Sequence, residues 1–278
     1  MSRRGEGIFS YPPQPGDPEP FKLGSGDRGV LLIHGFCGTP PEVRGLGEHL
    51  AANGFRVHGA LLIGCGTTPE DLLATSWTEW IDSAQAQLDE LKRECRQVFV
   101  AGQSMGGTMG LLLAARNPDI VAIATMAALV NLGRWAELKL FLGQHIFKWH
   151  YPDRDSVDLW DKDAVKQLRS YNKRAMKSLI DLILLYREAL REAHDIHLPA
   201  LILHGNRDRT VPPANAKLIA DAIGPTATLR YFERSGHAMT VDVDHEEIYK
   251  LITDFFVSAG DAAARVSATS ASSFRSLL

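Results

Sequence analysis

Residues 98–107, Val98-Phe99-Val100-Ala101-Gly102-Gln103-Ser104-Met105-Gly106-Gly107, run from an apolar stretch into a serine with a glycine two positions to either side. The apolar residues suit a buried strand, 97–101, and the segment 105–116 that follows suits a helix. Ser104 therefore falls on a strand-to-helix turn. Such a turn lifts a hydroxyl above a sheet at a helix N-terminus, where a base can reach it. Gly102 and Gly106 suit the close backbone approach this turn imposes, and Gly107 extends the clearance. A serine in this place can also serve simply as a helix cap, but a cap has no need of glycines on both sides.

A serine hydroxyl is a weak nucleophile until a base takes its proton, and the base needs an orienting acid. Downstream, His237 follows Gly236 in Arg234-Ser235-Gly236-His237, on a loop after the expected strand 228–232. His245 lies among Asp242, Asp244, Glu246 and Glu247 at a helix start and reads as a solvated surface residue. His237 is thus the candidate base. For the acid, strand 200–204 leads into Gly205-Asn206-Arg207-Asp208-Arg209-Thr210-Val211-Pro212. An aspartate in a loop of Gly, Asn and Pro is commonly a turn former. Asp208, however, stands just past a strand, after Ser104 and before His237, and Ser…Asp…His is the order in which a parallel sheet with a nucleophile elbow carries its triad.

The reaction also needs two N–H donors for the oxyanion. One candidate is the backbone N–H of Met105, directly after the serine. The other comes from the loop after the first strong strand, His34-Gly35-Phe36-Cys37-Gly38, where Gly35 and Gly38 let the chain approach a substrate and Phe36 N–H is the candidate. With no ligand, the same segment would be an ordinary glycine-rich turn.

Working outward, short apolar runs alternate with helix-length segments: strand 30–34, helix 41–53, strand 55–60, helix 78–95, the strand and helix around Ser104, and strand 120–126. The rhythm resumes with strand 200–204, helix 214–223, strand 228–232 and helix 245–257. This alternation predicts an α/β fold with a mainly parallel sheet and helices on both faces. Between 131 and 195 no strand is evident. Trp135, Trp149 and Trp160 sit there among helix-forming segments such as 176–192, so this block reads as a helical insertion. The expected organisation is an extended Pro/Gly-rich lead-in over 1–20, a core over 21–130 and 196–259, the insertion 131–195, and a mobile tail over 260–278.

Composition narrows the partners. A formal charge of −3 with no Lys/Arg run offers nothing that tracks phosphates, so nucleic acid is not an expected partner. Cys37, Cys65 and Cys95 make neither a disulfide framework nor a zinc spacing, and no metal or organic cofactor is expected. The two arginines near the N-terminus precede no apolar stretch, and no apolar run reaches membrane-spanning length. A cytoplasmic location is the expectation.

From about residue 20 to 257 the chain resembles the α/β-hydrolase superfamily, and within it the bacterial carboxylesterase and monoacylglycerol lipase branch. The resemblance rests on Glu19-Pro20-Phe21, LLIHGFCGTP at 31–40, GQSMGG at 102–107, HGNRDRTVPP at 204–213 and SGHAMTVD at 235–242, in that order. It implies Ser104, Asp208 and His237 as catalytic triad, Phe36 and Met105 as oxyanion donors, and 131–195 as a small cap over the site. Many relatives carry Gly-His-Gly where this chain has Gly64-Cys65-Gly66; Cys65 either fills the place of that histidine or offers a thiol near the pocket. The implied activity is hydrolysis of carboxylic esters with short or medium acyl chains, monoacylglycerols included, through an acyl-enzyme. Apolar residues of the insertion (Leu138, Leu140, Phe141, Leu142, Ile146, Phe147, Trp149) suit an acyl chain, and equally suit packing onto the core. The same triad also serves thioesterases, C–C hydrolases and acyltransferases, and the same fold can carry a ligand-binding receptor with little turnover.

Overall fold

The computed structural model describes residues 18–152, 158–161, 164, 168 and 170–275, with side chains to 266. Most of the expected lead-in, 1–17, lies outside them. A seven-stranded sheet in the order β1-β3-β2-β4-β5-β8-β9 forms the centre. Its strands are β1 (Phe21–Leu23), β2 (Arg28–Ile33), β3 (Arg56–Ala60), β4 (Gln97–Gln103), β5 (Ala122–Met126), β8 (Ala200–Gly205) and β9 (Ala227–Phe232). All neighbours pair in parallel except β1, which runs antiparallel to β3 at the edge.

Central strands are buried on both faces, which is why they read as continuous apolar runs. Along β2, Leu31 and Ile33 join a core cluster on one face with helices α3 (Trp77–Glu94), α4 (Met105–Arg116) and α7 (Ala214–Ile223). Val30 and Leu32 join the other cluster, beneath α1 (Pro41–Ala52) and α8 (His245–Arg275). On that second face Phe99 of β4 meets Phe256 of α8 at 4.9 Å between ring centroids, with Phe55 edge-on to Phe99 at 5.8 Å. Because β2 pairs with both β3 and β4, the strand order reverses there. The crevice at the C-terminal ends of β2 and β4 is where parallel sheets of this kind hold their ligands.

The insertion differs from its expected form. It contains α5 (Arg134–Gly143) and a two-stranded antiparallel ribbon of β6 (Trp149–His150) and β7 (Arg174–Ala175), too short to leave a periodic signal. Its last helix, α6 (Met176–Glu192), buries Leu182, Ile183, Leu185, Tyr186 and Ala189 against α3 and α4 and so belongs to the helical layer of the core. The C-terminal expectation is also corrected. In place of a helix ending at 257 and a tail from 260, α8 continues to Arg275. Gly260 does not stop it: a Cβ there would meet Gln97 at 3.0 Å and Phe99 at 3.2 Å, so the glycine serves close packing. Gln97 Nε2 donates to Gly260 O at 2.7 Å and Arg28 pairs with Asp261, while Ala262, Ala263 and Ala264 supply the strongest helix propensity. Among the described residues no helix is long and apolar enough to cross a membrane, and no group of three or more His, Cys, Asp or Glu could hold a metal ion.

Candidate active site

Ser104 stands between β4 and α4 with φ 55° and ψ −118°, a region that side chains rarely enter. Holding a residue there costs about 1–3 kcal/mol, so its surroundings must enforce it. Ser104 N donates to Met126 O at 2.8 Å and Ser104 O accepts from Thr108 N at 3.1 Å. The flanking glycines are obligatory: a Cβ on Gly102 would lie 2.2 Å from the Gly106 carbonyl, and one on Gly106 would lie 2.1 Å from Ile33 O. The turn thus presses against the end of β2. It forms no side-chain cap, and no acidic residue occupies the first turn of α4, so the N-terminal N–H groups beginning with Met105 face whatever lies above the serine.

The structure brings together the three residues singled out from the sequence. Ser104 Oγ lies 3.0 Å from His237 Nε2, and His237 Nδ1 lies 2.9 Å from Asp208 Oδ2. Asp208 is buried, and burial alone would raise its carboxyl. Hydrogen bonds from His204 and His237, the charge of His237 and the Val211 N–H instead hold it well below the usual carboxylate range. Thr210 N and Val211 N donate to its Oδ1 at 2.9 and 2.8 Å, and His204 Nε2 lies 3.0 Å from its Oδ2. Burial would likewise lower His237, but the hydrogen bond and charge of Asp208, then Glu42 and Asp158, raise it above the ordinary imidazole value. The main chain of His237 is gripped from two sides: Gln103 Nε2 donates to its carbonyl at 2.6 Å and its N–H donates to Asp158 O at 3.1 Å.

The loop after β2 abuts the serine, for a Cβ on Gly35 would lie 3.4 Å from Ser104 Cβ. Gly35 N donates to Glu42 Oε2 at 2.7 Å and Gly38 N to Gly35 O at 3.0 Å, so neither amide is spare, and the Phe36 N–H lies outside this bonding. The Phe36 ring packs at 5.9 Å from Trp80. His34 is fully buried, and burial lowers it to about 4, so the neutral ring sits beneath the loop and accepts the Leu62 N–H at 3.4 Å. Burial also pushes the Cys37 thiol up to about 12 and the Cys65 thiol higher still, which suppresses the thiolate and makes Cys65 packing material.

Four of these contributors escaped the sequence reading. Gln103 is the unassigned position of the motif, Glu42 looks like an ordinary first-turn acid, His204 ends a strand, and Asp158 lies in the insertion. Only the acidic first turn of α1 and the His-Gly step at 204–205 left any local signal. In the insertion, Leu140 and Phe141 pack against the core, whereas Leu138, Leu142, Ile146 and Phe147 are exposed, and Lys173 Nζ lies 4.2 Å above the half-buried Trp149 ring. A cavity of about 320 Å³ opens beside α2 (Pro69–Leu73) and is lined by Leu73, Ile146, Phe147, Lys148, Met176 and Lys177 among others; Ser104, Asp208 and His237 do not line it.

Comparison with known proteins identifies the family and supports the fold. The family described as serine aminopeptidase, S33, a hydrolase family, matches residues 25–244. A thermostable monoacylglycerol lipase from Bacillus sp. (strain H-257) is 36% identical over 239 residues, covering 86% of this chain and 94% of the lipase. A carboxylesterase from Bacillus subtilis (strain 168) is 26% identical, covering 86% and 96%. Among solved structures, one of the metagenome-derived lipolytic enzymes LipS and LipT superposes with a TM-score of 0.81 at 28% identity, covering 87% of this chain and 98% of its own. The monoacylglycerol lipase of Paleococcus ferrophilus shares the fold at TM-score 0.74 and 21% identity, with the same coverage.

Proposed function

Because the chain belongs to the α/β-hydrolase family described as serine aminopeptidase, S33, we propose that this lipase/esterase-like hydrolase works through Ser104, His237 and Asp208 on carboxylic esters of short or medium acyl chains, monoacylglycerols among them. The observation that carries the reading is the unbroken hydrogen-bonded line from Ser104 Oγ through the His237 ring to Asp208, with the serine on a strained turn at a helix N-terminus.

In this mechanism His237 Nε2 takes the Ser104 proton as the hydroxyl attacks the ester carbonyl. Asp208 keeps the imidazole in the tautomer that presents a bare Nε2 and stabilises the imidazolium that forms. The tetrahedral oxyanion is held by the N–H groups of Met105 and Phe36, each such donor being worth about 3 kcal/mol in the transition state. His237 then gives its proton to the leaving alcohol, and in the second half-reaction draws one from the water that releases the acyl group. Glu42 supports the donor loop by occupying the Gly35 N–H, which turns that amide away from the substrate.

The substrate class rests on the apolar residues of the insertion together with the lipase and esterase relatives. A chain-length series of p-nitrophenyl esters, run beside monoacylglycerols, tests it. Highest kcat/KM on short to medium acyl chains is the expected profile. Turnover confined to thioesters, or ligand binding with no turnover of any ester, contradicts it and favours a thioesterase or a receptor on the same scaffold.

A further inference from the structure

Residues 158–161 of the insertion touch both catalytic loops. Asp158 O accepts the His237 N–H at 3.1 Å. The same residue's carboxylate oxygen Oδ2 accepts the N–H groups of Arg209 and, at 3.1 Å, Thr210, the two residues that follow Asp208. Thr210 N also donates to Asp208 Oδ1 at 2.9 Å, so a single N–H is shared between the two carboxylates. Beside it, Trp160 N and Asp161 N both donate to Asp242 Oδ1 at 2.9 Å, and Asp242 Oδ2 accepts the Gly236 N–H at 2.6 Å, next to His237. The Trp160 ring lies beneath the guanidinium groups of Arg207 and Arg209, at 4.6 and 5.4 Å. Gly236 has no room for a side chain, because a Cβ there would stand 2.6 Å from Asp158 O.

We propose that Asp158 is a positioning residue for the reaction, tying the His237 loop to the Asp208 loop and adding a further negative charge beside the imidazole. The inference rests on the triad reading above. It goes beyond that reading because one residue of the insertion, outside the strand-end loops that carry the triad, holds the base loop through its main-chain carbonyl and the acid loop through its carboxylate. The loops of β8 and β9 are adjacent but separately attached, and His237 must stay within hydrogen-bond reach of Ser104 and Asp208 at once. Asp158 is bonded to the main chain of both loops, so relative drift of one loop breaks a bond to the other.

Its charge acts on the same ring. The ionisable groups around His237 are Asp208 on the acid loop, Glu42 from α1 and Asp158 from the insertion, all three favouring the protonated ring. His204 faces Asp208 from β8, and Arg207 and Arg209 are turned onto Trp160. Asp158 itself is driven up by its burial and by the charge of Asp208, and held down by the Arg209 N–H.

The test compares Asp158→Asn and Asp158→Ala with the parent on p-nitrophenyl butyrate from acid to mildly alkaline pH, with Ser104→Ala as control and thermal melting to verify folding. Asn keeps an acceptor oxygen for Arg209 and Thr210 but removes the charge; Ala removes both. Expected for Asp158→Asn is kcat within about threefold of the parent and an acid limb of the pH–rate profile moved to lower pH by roughly half a unit. Expected for Asp158→Ala is the same movement of the limb and a loss in kcat of about tenfold or more, with KM little changed. If Asp158→Ala does not fold, the limb in Asp158→Asn decides alone. An acid limb that stays in place in the folded variants, or a parent kcat in Asp158→Ala, overturns the proposal. Full activity in Ser104→Ala instead overturns the triad reading, so the two failures are separate.

Discussion

At the scale of single residues, the site is a set of shifted protonation equilibria with identifiable causes. In the proposed mechanism His237 acts only when neutral, and its neighbours raise it above the ordinary imidazole value, so activity should climb with pH through that raised value. The sign for stability is opposite. A folded-state value above the unfolded one contributes stability that is complete below the unfolded value of about 6.5 and is lost as pH rises through the folded value. Asp208, held low, contributes stability present above its unfolded value of about 3.9 and lost only as pH falls through its depressed folded value. Asp208→Asn removes both the charge and the tautomer control. It should lower kcat by about 10⁴-fold while leaving KM near the parent value, and move the acid limb to lower pH; a pH–rate profile of the variant checks both. The principal residues were legible because each sits in a short local pattern: serine between glycines, aspartate and histidine just past strands. Glu42, Gln103, His204 and Asp158 were not legible, because their roles depend on burial and on partners far away in the chain, as in the 2.6 Å bond from Gln103 Nε2 to His237 O.

At the scale of elements, the parallel strands and their helices could be read from apolar runs buried on both faces, and helix 214–223 coincides with α7. What escaped was either too short or decided elsewhere. β1 has three residues and exists because it pairs with β3, and the β6–β7 ribbon has two residues a side. α6 was visible as a helix, but nothing local distinguishes an amphipathic helix over an active site from one packed on α3 and α4. α8 outran its expected end because Gly260 is fitted against Phe99 and Gln97, a reason that lies in β4. The same face yields a stability prediction. Phe256 is fully buried between Phe99 and Phe55, on the side of the sheet opposite α4. Phe256→Ala should cost about 3–5 kcal/mol in urea unfolding. The kcat of the remaining folded enzyme should stay at the parent value, since the rings packed on Phe256 are Phe55, Phe99 and Phe255, none of them a residue of the candidate site.

At the scale of the whole molecule, the fold gathers scattered loops into one candidate site. The β2 and β4 ends meet where the strand order reverses, and the loops after β8 and β9 bring the acid and the base over the same edge. The insertion supplies a ribbon, a helix that leaves Trp135, Leu138 and Leu142 exposed, and the segment 158–161 that reaches back to those loops. The central claim is that Ser104 is the nucleophile of an ester hydrolase, and one measurement tests it most directly: peptide mass mapping of the protein after treatment with a fluorophosphonate, in parallel with ester turnover. A single adduct on Ser104, with turnover lost in proportion to labelling and both adduct and turnover absent from a folded Ser104→Ala, is the predicted result. An adduct on another residue, or undiminished turnover in Ser104→Ala, contradicts it.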